Sequence, residues 1–477
     1  MKNFNFTVKA LVVALVLAGC STVKPPEKVS LDLPTQYRES QPALDGAWKL
    51  GQPADGADRG AWWSVFDNAE LSALIAEATR SNPNLAIALA RVKESRATAG
   101  LVDSERGFKL NSGFGPTRQR DASTTPATTS TQWRAQLNAA YEVDLFGRLS
   151  DGSRAAKLDA EGQEAAYRSV LLALQADVAQ QFFAIRSLDS ELDVLQKTIQ
   201  LRQEALRLVQ HRYDAGDISE LDVAQAKTEL AVTQAEEEGI KRARSQRDHA
   251  LAILLGKAPA QFTLAAAPLQ PVTVSVPAGL PSDLLERRPD IAQAQRQLAA
   301  ASARIGAAKA AFFPSLSLTG AAGYESSELR DLFKWSSRTW LLGPLVGTAL
   351  SLPIFDGGRN KANLARADAT YELQVANYRQ QVLVGFQDVE DNLSALRTLD
   401  NQIRFQNEAV SSAQTATKLA ESRYRNGSSS YLEVIDAQRS SLSAERAKSQ
   451  SVGQRAVASV GLIRALGGGW QSPPAVD

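Results

Sequence analysis

The 477-residue chain carries one device twice. Residues 212–226 read RYDAGDISELDVAQA and residues 423–437 read RYRNGSSSYLEVIDA, 211 residues apart, with Arg, Tyr, Gly, Ser, Leu, Val and Ala at matching places. Each copy reads as a reversal between two helices. The incoming helix ends near Tyr213 or Tyr424, and Gly216 or Gly427 supplies the positive φ that commonly follows a helix C-terminus. Ser219 or Ser430 then opens a new helix, with Asp222 or Glu433 three residues on, as in a capping box. The pattern before each tip sets the scale. Apolar residues step by four and three through Leu188, Leu192, Leu195, Ile199, Leu206, Val209 and Tyr213, with Arg202 interrupting; Leu399, Ile403, Val410, Ala413, Thr417, Ala420 and Tyr424 repeat the seam, with Gln406 interrupting. Unbroken helices over 148–212 and 359–424 would be ~97 and ~99 Å long, more than a globular domain of this size needs. The helices 82–108 (~40 Å) and 219–255 (~55 Å) sum to ~95 Å, so two shorter helices stacked end to end can flank one long one.

Between helices the period changes. Trp133, Ala135, Leu137, Ala139, Tyr141, Val143 and Leu145 alternate with Arg134, Gln136, Asn138, Ala140, Glu142 and Asp144, a strand with one greasy and one wet face. It is longer than the roughly 9 to 11 residues a tilted strand needs to cross a bilayer. A partner strand is expected at 108–118 across the Ser/Thr-rich loop 121–131. Two hundred residues later the programme recurs: Arg288-Pro289-Asp290 opens a helix, 313–324 alternates, a polar loop covers 325–338, a strand follows at 341–353, and Gly357-Gly358-Arg359 opens the second long helix.

Charge and composition exclude several functions. Lys plus Arg number 53 against 52 acids, so no net field steers nucleic acid or an acidic substrate. His211 and His249 are the only histidines and lie on separate helices with no cluster at metal-ligand spacing; no nucleophile motif or phosphate loop occurs, and Gly467–Gly469 reads as a helix stop. No enzyme and no cofactor is expected. The first residues, with Lys2 and Lys9 before the apolar 10–17 and Leu17-Ala18-Gly19-Cys20, read as a secretion signal. LAGC resembles a bacterial lipobox, which makes Cys20, the sole cysteine, a lipidation site, and Ser21 at the next position implies sorting to the outer membrane. No apolar run of eighteen residues follows, so any crossing must use strands.

Four strands cannot close a barrel, and unpaired strand edges in lipid cost several kcal/mol per backbone group, so membrane strands require several copies. Two chains would give eight strands and a filled lumen; three would give twelve and room for passage. The expected fold is mainly α with a membrane β-barrel, on a two-fold internal repeat: signal 1–19, lipidated tether 20–61, repeat one 62–256, linker 257–281, repeat two 282–467 and tail 468–477.

The Trp62-Trp63 start, RRPDIAQAQRQLAAASARIGAAKAAFFPSLSLTG at 287–320, LPIFDGGRNKANL at 352–364 and both tips resemble the outer-membrane factors of the TolC type, within them the lipidated OprM-like branch serving resistance-nodulation-division efflux pumps. The resemblance covers nearly the whole chain. It implies a homotrimer with a shared twelve-stranded barrel, four strands per chain, continued by a tunnel of periplasmic helical hairpins. It implies export of drugs or other toxic small molecules, delivered by an inner-membrane transporter through a periplasmic adaptor that meets the tips at Gly216, Ser219, Gly427 and Ser430. It also implies a periplasmic gate. Paired acids on the second hairpin match Glu433 and Asp436, three apart on one helix face; in three chains these six carboxylates would favour cations. Tyr424 and Asp222 match a pair that bonds neighbouring hairpins in the closed state, while Ser429 stands where a basic residue is expected. Plainer roles stay open: Glu433 as the capping acid of Ser430, and Tyr424 as the end of a seam. Two other functions also stay open, a type I protein-secretion duct and a lipid-tethered periplasmic coiled-coil scaffold whose strands form a soluble patch.

Overall fold

The computed structural model describes residues 37–39, 60–123, 126–270, 287–343 and 349–468. Cys20 with the signal and most of the tether, the later part of the linker, Gly469 and the tail lie outside the described residues. In chain order the elements are α1 (Ala69–Ser81), α2 (Pro83–Ser104), β1 (Lys109–Asp121), β2 (Thr128–Val143), α3 (Arg148–Asp214), α4 (Glu220–Leu254), α5 (Pro289–Ala310), β3 (Ser315–Ser326), β4 (Arg338–Leu342), β5 (Leu350–Ser351), α6 (Arg359–Arg425) and α7 (Tyr431–Ala465). The duplication is visible in lengths alone: α3 and α6 have 67 residues each, α4 and α7 have 35, α2 and α5 have 22. All four hairpin legs end alike. Gly216 and Gly256, like Gly427 and Gly467, take positive φ, and the two amides after each helix donate back in the Schellman pattern. None of the described helices is long and apolar enough to cross a membrane.

Two compact units draw on both halves of the chain. Among the described residues one comprises Arg91–Glu164 and Gln293–Arg379; the other comprises those of Asp32–Ala90, Ala165–Ala292 and Gln380–Asp477. In the first, an antiparallel sheet runs β1-β2-β3-β4, with β5 also pairing β3. The register sorts side chains by face, because directly paired residues share one. Leu110 pairs Ala139, Phe114 pairs Ala135, Tyr141 pairs Leu318 and Ala322 pairs Trp340, so one face is apolar from edge to edge. Asn111 pairs Asn138, Gly113 pairs Gln136 and Arg134 pairs Glu325, which makes the other face polar, with an Arg134–Glu325 ion pair at 3.2 Å. Among the described residues nothing covers the apolar face: Phe114, Leu137, Leu318 and Trp340 are exposed. Asp144 starts α3 by accepting from the Leu149 and Ser150 amides, and Asp356 starts α6 by accepting from Gly358 and Asn360.

Two strand expectations need correction. β1 and β2 extend further toward their turn than expected, leaving only 122–127 between them. The strand expected at 341–353 begins earlier, at Arg338, because the polar loop folds into two short 3-10 turns, Leu329–Asp331 and Trp335–Ser337. Residues 344–348 lie outside the described residues, and Leu350–Ser351 resumes the pairing with β3.

In the second unit Trp62 opens a 3-10 turn, is buried, and donates its indole N–H to Gln175 at 3.0 Å. Around it Leu71, Ile75, Phe182, Phe183, Ile185, Leu251, Leu255 and Ile463 make the core. Beside that core runs a buried ionic chain. Arg186 pairs with Asp189 (3.1 Å) and Glu70, and Asp189 pairs with Arg244 (2.5 Å), which also holds Asp248 (2.6 Å). The same chain fastens the early linker: Arg186 donates to the Ala265 carbonyl, Arg244 to that of Leu264, and the Ala267 amide to Asp189. Exactness of the repeat extends here, since Arg455 pairs with Asp400, each 211 residues after Arg244 and Asp189.

Candidate gate at the hairpin tips

The two tips meet in one small apolar cluster. Val209, Val223 and Ala226 from the first hairpin pack with Tyr424, Tyr431, Val434 and Ile435 from the second. The seam tyrosines therefore differ: Tyr424 is 7% exposed and Tyr213 is 39% exposed. Tyr424 and Tyr431 lie with ring centroids 5.3 Å apart. Arg212, the residue before Tyr213, crosses to the second tip, stacks 5.0 Å over the Tyr424 ring and donates to the carbonyls of Tyr424 (3.3 Å) and Arg425 (3.1 Å). A cation there satisfies the last carbonyls of α6 and meets the negative end of its dipole. The first tip thus caps the second.

The acids are used differently. At the first tip the Ser219 amide donates to Asp222 at 3.4 Å, in a capping box. At the second no such box forms: Ser430 makes no side-chain cap bond, and Glu433 pairs instead with Arg423 at 3.4 Å. The expected capping role of Glu433 is corrected accordingly. Asp436 lies 3.8 Å from Arg439, which is held mainly by the buried Glu229 (Nε to Oε1, 3.0 Å). Both gate acids are about half exposed or more, so these pairs are weak, but neither carboxylate is naked.

Below the tips, charges are buried. Arg202, the interruption of the first seam, is a core residue, 3.0 Å from Glu229 and donating to the Thr233 hydroxyl. Burial pushes its guanidinium below the ordinary value, with Glu229 opposing. Glu191 accepts both Nε and Nη of Arg446 (2.8 and 2.7 Å), and Arg446 also reaches Glu236 at 2.8 Å. Sequence reasoning missed Arg423, Arg439 and Arg446 because their partners lie across a turn or in the other repeat.

Some expected contacts do not form within one chain. Among the described residues the buried Tyr424 hydroxyl has no hydrogen-bond partner, while Asp222 is engaged by Ser219. The Ser429 hydroxyl, where a basic residue was expected, is also buried without a partner. Burial, with Tyr424 next to it, raises the Tyr431 phenol to about 12. Among the described residues no three His, Cys, Asp or Glu side chains stand together as metal ligands would.

The family model for outer membrane efflux proteins matches residues 74–257 and 280–468. The chain belongs to this family. It is 35% identical to the cation efflux system protein CusC of Escherichia coli O6:H1 over 96% of this chain and 98% of that one. It is 35% identical to the outer membrane protein OprJ of Pseudomonas aeruginosa, covering 98% and 97%, and 35% identical to the toluene efflux pump outer membrane protein TtgF of Pseudomonas putida, covering 97% of both. Among solved structures it resembles CusC (TM-score 0.82, 31% identity, 94% of this chain and all of that one) and the outer-membrane channel OprN (0.83, 28%, 91% and all). As a member of the family the chain is an outer-membrane efflux channel, with the helical tunnel and β-barrel architecture of those trimeric channels.

Proposed function

We propose that the protein is the exit duct of a tripartite pump, a homotrimer anchored by lipid on Cys20, that passes drugs or other toxic small molecules from a periplasmic adaptor and a resistance-nodulation-division transporter to the outside. The observation that carries this reading is the two-faced sheet: apolar on one side, polar on the other, with β1 and β4 at open edges. In lipid such edges must pair with further copies, and the polar face then lines a lumen. A soluble scaffold has no use for an uncovered apolar face of this extent.

The gate belongs to the second tip. Glu433 and Asp436 line the narrowing, Tyr424 and Asp222 supply a link between neighbouring hairpins in the closed state, and Gly216, Ser219, Gly427 and Ser430 present the reversals to the adaptor. Arg423 and Arg439 temper the acids, so closing the duct does not leave bare carboxylates facing one another. A deletion strain becomes hypersensitive to several unrelated drugs if the reading is right, and complementation restores growth; a strain with unchanged susceptibility but lost protein secretion would redirect it to the type I secretion role.

A further inference from the structure

The two turns that cap the sheet are unlike. The β1–β2 turn, 122–127, is short and rich in Ser, Thr, Ala and Pro. The β3–β4 turn is a folded body: Leu332 is fully buried, the Ser337 hydroxyl donates to the Asp331 carbonyl (2.8 Å), and the turn ends on Arg338. Its outer surface is nonetheless aromatic, with Phe333 68%, Trp335 76% and neighbouring Trp340 76% exposed.

Register says where those rings lie. Tyr324, Arg338, Ala322 and Trp340 all stand on the apolar face, since Tyr324 pairs Arg338 and Ala322 pairs Trp340. Phe333 stacks edge-on against Tyr324, centroids 5.6 Å apart, so the turn extends that face beyond the last strand pair. Charge adds a second mark. The turn holds three cations and two carboxylates: Arg330 pairs with Glu328 (2.6 Å) and Lys334 with Asp331 (2.6 Å). Arg338 is left over. Among the described residues no carboxylate pairs with it; its Nε donates to the Trp335 carbonyl (3.1 Å) and its guanidinium lies over the Trp335 ring.

We propose that the β3–β4 turn is a binding site for a phosphate-bearing lipid of the outer leaflet. Phe333, Trp335 and Trp340 enter the boundary between acyl chains and headgroups, where amphipathic rings are favoured. Arg338, pre-oriented by Trp335, presents its planar fork to a headgroup phosphate. The occupant is a membrane lipid because the site continues an apolar face that must meet lipid in an outer-membrane channel, and the strand ends opposite this turn are the ones joined to helices. Residues 122–127 themselves hold no aromatic and no basic side chain.

The test uses the full-length protein. Lipid A titrated into detergent-purified protein and counted by native mass spectrometry binds, and Arg338→Gln lowers its apparent affinity about tenfold. Arg330→Gln, which removes a cation already paired, leaves that affinity unchanged, and bilayer conductance of both variants stays at the wild-type value. In vesicles containing dibrominated phosphatidylcholine, part of the tryptophan emission is quenched, and Trp335→Phe removes a shallow share of that quenching. Lipid A affinity equal in wild type and Arg338→Gln would overturn the proposal. So would Trp335 emission untouched by the brominated lipid, the result expected if the turn packs on a second copy of the chain.

Discussion

The two hairpin tips share a backbone and differ in what their side chains are for. Both reverse through a Schellman glycine and reopen at a serine 211 residues apart. The first tip is self-contained: its acid caps its own helix, its tyrosine faces solvent, and its arginine reaches out to finish the other tip. At the second, the tyrosine is buried, its hydroxyl and that of Ser429 go unmet among the described residues, and its acid pairs across the turn with Arg423. Duplication supplied the same reversal twice; divergence made one copy's arginine a cap for the other and buried the other copy's tyrosine.

The comparison breaks most easily at the tyrosines. Tyr424→Ala empties a place in the buried cluster and costs ~3 kcal/mol of local stability, whereas Tyr213→Ala costs ~1 kcal/mol or less. Hydrogen exchange at 418–436 and 207–225 reads the two tips separately; equal losses would erase the distinction. Alkaline pH probes the same cluster. Tyr431 is raised from its ordinary 10 to about 12, so the folded state favours the neutral phenol. Stability from that preference is complete below pH 10 and falls as pH rises toward 12, by up to ~2 kcal/mol. Tyr431→Phe abolishes this slope in the exchange of residues 428–436, without steepening that of 213–219. The smallest effect concerns the caps: Asp222→Ala loosens the start of α4 by ~1 kcal/mol, while Glu433→Ala changes the start of α7 by less than ~0.5 kcal/mol, the worth of an exposed ion pair. Exchange of the amides at 220–223 and 431–434 checks the pair.

Much of the fold was legible because it is built from local, repeated signals. The heptad steps fixed α3 and α6 nearly to the residue, and the glycines at 216, 256, 427 and 467 stopped the right helices. Strict alternation found β2, and the register keeps Leu137 and Tyr141 on one face as the pattern required. β4 was misplaced because its cue, the polar loop before it, folds into 3-10 turns that bring Arg338 to the sheet early. Glu433 and Asp436 stood out in the sequence by their spacing, but their ion-pair partners did not. Ser-x-x-Glu at 430–433 looks locally like Ser-x-x-Asp at 219–222; which one forms a box depends on whether an arginine across the turn competes for the acid. Arg423 does so, whereas its counterpart Arg212 is drawn to the carbonyls of the other tip. The Arg212–Tyr424 and Arg439–Glu229 contacts join residues more than two hundred apart, and no local period reports them.

The central claim is that the chain forms a duct held shut at the second tip. Single-channel recording in planar bilayers, comparing the wild type with the Glu433→Ala, Asp436→Ala double variant, addresses it directly. The account predicts a small, cation-preferring conductance for the wild type and a larger, less selective one for the variant. Identical conductance and selectivity in the two proteins would remove these acids from the constriction, and no conductance from either would contradict the duct itself.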